Sequence, residues 1–240
     1  DIAPIWALQS ERLNRQLYIH ANTSASDLPF DSGAIHLCMS QFGMEYVGRP
    51  AFIEAARVLK EDGIFAAVIH HSESLSVRIA REECSHIHWI LNEMDVTSTV
   101  APMIEFMSLT TTSAGIASLQ ANPAANKARV GLNDLLRALG ERIEAAHFPD
   151  VLVGLRQAIM RVMSDSPKLG AKLAREKWHR VLTDLETMRL RQAELVEFAC
   201  TEEQVTQWIT LFGRTQTSIE PLHFSNGELA GWGVVAQRLG

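Results

Sequence analysis

The chain has little cysteine, only three residues in 240. Cys38, Cys84 and Cys200 are widely spaced and odd in number, which excludes a disulfide-stapled scaffold and fits a reducing compartment such as the cytoplasm. No stretch of about eighteen unbroken apolar residues occurs, so no segment reads as a membrane span. An excess of positive charge is also missing: the net charge is −6, which argues against a nucleic-acid-binding protein with a broad basic face. Glycine-rich phosphate loops are absent, and no G-x-G-x-G motif occurs anywhere. What is present is an ordinary globular balance, 47% apolar and 21% charged, enough for a sizeable core and too apolar for a disordered chain.

Three regimes follow one another. Residues 1–72 alternate short apolar runs with a helical pattern, as βα units do. Gln16–Ala21, Ala34–Ser40 and Gly63–His70 read as strands. The second is apolar almost throughout, as befits a parallel strand covered on both faces. Between the last two, Pro50 opens a helix with Phe52, Ile53, Ala56, Val58 and Leu59 as its apolar stripe. The turn Lys60-Glu61-Asp62-Gly63 closes it, with Gly63 free to take positive φ. Residues 73–200 contain little strand signal. Helical spacing runs through Leu75–Met94, Leu132–Ile143 and Val151–Val162, and a long helix is predicted from Leu169 to Ala199. Pro102, Thr110–Ser113, Asn122-Pro123, His147-Phe148-Pro149 and Ser166-Pro167 are read as breaks between helices. From Thr201 onward a capped helix ends at Gly213. Two strands, Ser218–Phe224 and Gly231–Arg238, then flank the hairpin signal Ser225-Asn226-Gly227.

The ordered series Asp27-Leu28-Pro29-Phe30-Asp31, the apolar strand ending in Ser40, Gln41-Phe42-Gly43-Met44-Glu45-Tyr46, and Arg57-Val58-Leu59-Lys60 with its Gly-closed turn resembles class I S-adenosylmethionine-dependent methyltransferases acting on small molecules. In that family an "LPF" segment, a strand ending in Ser and an "RVLKPGG" turn recur at this spacing, and a final "GW" strand closes the fold. The resemblance covers about the first 72 and last 40 residues. It implies a Rossmann-like α/β methyltransferase core, 1–72 with 201–240, interrupted by a helical insertion, 73–200. It also implies an N-terminal truncation: the chain begins after the first strand and cofactor loop, and as written binds cofactor poorly.

The resemblance carries site residues over one by one. Asp1 takes the place of the acidic residue that binds the cofactor's ribose hydroxyls, since a carboxylate accepts two hydrogen bonds from a vicinal diol, and Ile2 follows it as the helix begins. Ser24 and Ala25 stand where an acidic and a small residue contact the adenine, next to Asp27 and Leu28. Ser40, Gln41 and Phe42, at the C-terminal end of a parallel strand, line the methionine arm and the transfer site, where open α/β sheets bind ligands. His70 and His71 close the next strand at the same edge. Each is a candidate general base, a substrate contact or a structural residue.

No metal is expected. Cys84, His86 and His88 form C-x-H-x-H, but only Cys84 and His88 share a helix face, too few for a closed zinc site. Trp89, Trp178 and Trp208 read as core or lid residues. Arg175, Lys177 and Arg180 interleave with Glu176, Asp184 and Glu186, the pattern of a solvated helix face. The implied reaction is direct methyl displacement onto an O, N or C of a small molecule, with no nucleic acid or membrane as partner. The helical block is then a lid over the acceptor pocket or an arm that pairs with another helix, including a second copy in a homodimer. Alternatively the whole chain is an inactive methyltransferase-like scaffold.

Overall fold

A computed structural model describes residues 18–239. In chain order these form β1 (Ile35–Gln41), α1 (Met44–Val47), α2 (Arg49–Val58), β2 (Leu59–Ile69), α3 (Leu75–Asn92), α4 (Val96–Met107), α5 (Ser113–Gln120), α6 (Pro123–Ala145), α7 (Asp150–Phe198), α8 (Glu202–Ile209), a 3₁₀ turn (Thr210–Phe212), β3 (Thr215–His223) and β4 (Leu229–Arg238). The described residues divide into a sheet unit, residues 18–78 with 194–239, and a helical unit, residues 79–193.

The sheet unit is mixed α/β around one four-stranded sheet of order β1-β2-β4-β3. β1 and β2 are parallel, with α2 as their crossover. β4 runs antiparallel to both β2 and β3, so the terminal hairpin slots its second strand between β2 and its own first. The Asn-Gly signal is the hairpin turn: Gly227 sits at φ +84° and its N–H donates to the Phe224 carbonyl at 2.9 Å. Phe65, Ala67 and Ile69 of β2 and Trp232, Val234 and Ala236 of β4 alternate onto one face, where they pack with Phe52 and Ala55 of α2 and Val205 and Ile209 of α8. Thr201 starts α8 with a full capping box, its hydroxyl accepting from the Gln204 N–H and the Gln204 side chain accepting from the Thr201 N–H. Arg238 ties the last strand to the crossover, donating to the carbonyls of Ala56 and Leu59 at 2.7 Å each and to Phe212 at 3.1 Å.

Several expectations need correction. Tyr18–Ala21 is not a strand: β1 pairs with β2 only, so among the described residues this segment has no neighbour to complete a ladder. Gln16 and Leu17, with Asp1 and Ile2, lie outside the described residues. The Lys60–Gly63 turn is absorbed into β2, which starts at Leu59. The register slips there, Ile35 facing Leu59 and Leu37 facing Ile64. Gly63 is not among the positive-φ glycines. It is small because a Cβ would lie 2.7 Å from Leu59 Cγ. Ile53 is exposed, whereas Ala51 and Ala55 complete the buried stripe of α2. β1 is not covered on both faces by described residues, since Leu37 and Met39 are 53% and 70% exposed.

In the helical unit, Ile87 and Ile90 of α3, Val100 and Ile104 of α4, Leu135 and Leu139 of α6, and Leu152, Leu155 and Ile159 of α7 form one core. Pro102 sits inside α4 rather than in a loop. It occupies the exposed side, and burial of Val96, Val100 and Ile104 opposite it outweighs the missing hydrogen bond. The break expected at Ser166-Pro167 falls at Gly170, whose φ of +76° and ψ of 161° interrupt α7. Glycine alone turns that corner without a Cβ clash. Trp178 is buried in this core, and the Arg142 guanidinium lies 4.4 Å over the Trp89 ring. Arg175 pairs with Glu105 and Lys177 with Asp165, partners outside the interleaved set Glu176, Asp184 and Glu186. None of the described helices is long and apolar enough to cross a membrane.

Candidate functional site

The parallel pair converges at its C-terminal edge on a compact acid–base cluster. β1 ends in Ser40 and Gln41, and the last rung of its ladder is the Phe42 N–H donating to the Val68 carbonyl at 2.8 Å. Phe42 then takes φ +50°, a conformation non-glycine residues rarely adopt, and swings the chain into α1. This turn delivers Glu45 beneath the end of β2. Glu45 is 1% exposed, and its Oε1 accepts from the His70 backbone N–H at 3.1 Å and lies 2.7 Å from His70 Nδ1. Its Oε2 is buried with no hydrogen-bond partner among the described residues.

Aromatic rings enclose the His70 imidazole. Phe42 stacks on it at 4.2 Å between centroids, and Tyr46 meets it edge-on at 6.1 Å and in turn packs against Phe198. Burial, helped by the charges of Glu45 and Glu194, pushes the Tyr46 phenol up, so it stays a protonated donor through neutral pH. The Cys200 thiol, whose backbone N–H donates to the His70 carbonyl, is pushed up to about 12 by burial and by Glu45, and is therefore inert.

His71 is built differently. Its ring stacks on Trp232 at 4.3 Å, and its Nδ1 accepts from the Glu73 N–H at 2.9 Å. The proton of neutral His71 therefore sits on Nε2, and the lone pair a base needs is already engaged. Burial also lowers its basicity. His70 has the opposite arrangement: Nδ1–H is spent on Glu45, and no described residue hydrogen-bonds Nε2. Gly231 lets the two strands close here, because a Cβ would lie 2.6 Å from the Ile69 carbonyl and 3.4 Å from the Phe42 ring.

Of the other sequence-predicted residues, Ser40 and Gln41 reach this edge and also line a groove of about 570 Å³ over the open face of the sheet. Ser24, Ala25, Asp27 and Leu28 do not make hydrogen bonds to it. The Ser24 hydroxyl pairs with Ser26, Ala25 packs against the core, and the Asp27 N–H closes a turn onto the Ser24 carbonyl. The Leu28 N–H donates to Glu54 Oε1 at 2.8 Å, while Arg57 grips the Glu54 carboxylate from Nε and Nη2 at 2.8 and 2.6 Å. Arg57 also donates to the Leu28 carbonyl at 3.2 Å, so this pair pins the "LPF" segment along α2. The Arg57 hydrogen bonds, reinforced by the Leu28 N–H, pull the Glu54 carboxyl down to about 2 from an ordinary 4.5. A lowered folded-state value contributes stability that is present above pH 4.5 and drains away as pH falls toward 2. Glu54→Gln should therefore flatten the acid limb of a urea-midpoint titration in that window. An unchanged slope would mean that this carboxylate does not anchor the segment.

Cys84, His86 and His88 are spent locally: the thiol faces the Arg189 carbonyl, His86 lies between Glu82 and Arg142, and His88 meets Asn92. No group of three or more His, Cys, Asp or Glu among the described residues could hold a metal ion. Glu45, Tyr46 and Phe198 are site residues that sequence reasoning did not single out. A usable signal was there, the acidic–aromatic pair Glu45-Tyr46 a few residues past the strand end at Gln41. No protein-family model, curated protein or solved structure matches the chain.

Proposed function

We propose that the sheet unit is the acceptor-side part of a class I S-adenosylmethionine-dependent methyltransferase core, and that it transfers a methyl group to a small molecule. The observation that carries this reading is the His70–Glu45 pair at the C-terminal edge of two parallel strands, beside Ser40, Gln41 and Phe42. Open α/β sheets bind ligands outside that edge. Support also comes from the strand arrangement, a parallel pair with a crossover helix closed by an antiparallel terminal strand, Leu229–Arg238, that contains Gly231-Trp232.

The residues present fit part of such a methyl donor. The Ser40 hydroxyl and the Gln41 amide can bond a carboxylate and an ammonium group, and the positive-φ turn at Phe42 keeps the backbone close to a ligand. Contacts to a ribose would fall to Asp1 and Ile2, outside the described residues. The donor, when bound, supplies an electrophilic methyl group on a sulfonium. The chain's own residues align the acceptor and exclude water.

Photolabelling suits this edge because it registers even weak binding. Ultraviolet irradiation of the full chain with methyl-labelled S-adenosylmethionine should place label on peptides containing Ser40–Phe42. Excess S-adenosylhomocysteine should remove that label. Label elsewhere, or label indifferent to the competitor, would overturn the methyltransferase reading and leave an inactive scaffold.

A further inference from the structure

We infer that Glu45 is a positioning residue that fixes His70 with Nε2 as the proton acceptor, and that the acceptor substrate is an aromatic hydroxyl, a phenol. The inference rests on the methyl-transfer reading and names the substrate class of the same site. Three observations lead to it.

The first is the tautomer. Glu45 Oε1 at 2.7 Å is an obligatory acceptor while ionised, so the neutral imidazole carries its hydrogen on Nδ1. Nε2 is then an unshared lone pair with no described partner, on a side chain that is 14% exposed. The second is the unpartnered Oε2 of a carboxylate whose side chain has no exposure. A charge so placed is costly unless a positive group faces it, and His70 becomes one when Nε2 takes a proton. The third is the wall: Phe42 against the imidazole face, Tyr46 at its edge and Phe198 behind Tyr46. Such a wall suits a planar aromatic acceptor.

The remaining titratable neighbours do not compete for the proton. The Cys200 thiol and the Tyr46 phenol both stay protonated near neutrality, and of the other carboxylates Glu194 acts on Tyr46 while Glu73 and Glu202 act on His71. A phenol, with a pKa of about 10, gives its proton to an imidazole far more readily than an aliphatic alcohol does, so its oxygen can become a phenolate before it attacks. In the step, the acceptor O–H bond breaks and its proton passes to His70 Nε2. The oxygen's electron pair forms the bond to the methyl carbon. The pair of the breaking C–S bond stays on sulfur, so a sulfonium becomes a neutral thioether and the imidazole becomes an imidazolium.

The probe is 4-nitrophenol, titrated into the full chain at a pH where the free compound is mostly neutral. Proton transfer to His70 should give the bound compound its yellow phenolate band. Glu45→Gln should lower the bound phenolate fraction about tenfold, the effect of removing one adjacent opposite charge. No binding, a bound phenol without the band, or the same band in Glu45→Gln would overturn the assignment. Nitrogen NMR of the histidine-labelled wild-type chain guards against a variant that does not fold: at alkaline pH His70 should be the Nδ1–H tautomer, and an Nε2–H tautomer would also overturn it. Donor photolabelling separates the two readings. A phenolate band without competed label removes methyl transfer and keeps the acid–base pair, while competed label without the band removes the phenol acceptor alone.

Discussion

Phe52→Ala should destabilise the sheet unit by about 3–5 kcal/mol, the usual cost of truncating a buried aromatic ring. Phe52 is fully buried, its ring 5.8 Å from that of Phe65 on β2 and 4.8 Å from that of Trp208 on α8. It is therefore the residue through which the crossover helix holds both the parallel pair and the helix before the hairpin. The cavity cannot collapse easily, because its walls are two strands in register and a helix capped at Thr201. Calorimetry gives the sharpest measurement. The unit spanning residues 79–193 has its own core, so its transition should stay where it is while that of the sheet unit falls. A loss under about 1 kcal/mol would mean that α2 is not packed on the sheet as described. Phe52→Leu, which keeps an apolar side chain in the gap, should cost less than half as much.

How much of this was legible in the sequence depends on the range over which each feature is determined. β1, α2, β2 and the hairpin follow from local signals: apolar runs of strand length, a first-turn proline and Asn-Gly between two strands. The place of Ser40, Gln41 and Phe42 at a strand end was legible as well, since β1 closes at Gln41. Features set by tertiary contact were not legible. Nothing local marks Ile53 as exposed and Ala51 as buried, because α2 chooses its inward face by fitting Phe65 and Phe212. Pro102 is a helix breaker in isolation and is overridden by the packing of Val100 and Ile104. The break in α7 was misplaced by three residues because proline signals a stop, while the backbone turns only where glycine permits positive φ. The pairing of Glu45 with His70 spans 25 residues and depends on the positive φ of Phe42, which no composition rule anticipates for a phenylalanine. The two adjacent histidines looked equivalent in sequence. A backbone N–H from Glu73 on one and a carboxylate on the other give them opposite tautomers.

Trp232→Ala should be as damaging as the change at Phe52, again about 3–5 kcal/mol, but its second consequence is at the site. Trp232 is 6% exposed, faces Ile69 across the β2–β4 ladder, stacks on His71 at 4.3 Å and donates from Nε1 to the Cys200 carbonyl at 3.0 Å. That carbonyl also accepts from the Ser72 N–H, so removing the indole does not orphan it, and most of the loss is packing. Trp232→Phe, which keeps a ring over His71 and loses only the N–H donor, should cost about 1 kcal/mol. The indole and the Cys200 backbone together hold the end of β2: the Cys200 N–H donates to the His70 carbonyl, and residues 71 and 200 form a parallel bridge. With the indole gone, the Cys200 backbone that holds the His70 carbonyl loses its side-chain tie to β4. The Nδ1–H tautomer of His70 should then give way to a mixture in Trp232→Ala and persist in Trp232→Phe, as read by nitrogen NMR. A full stability loss with an unchanged tautomer would show that Glu45 alone positions the imidazole, and that Trp232 serves the core only.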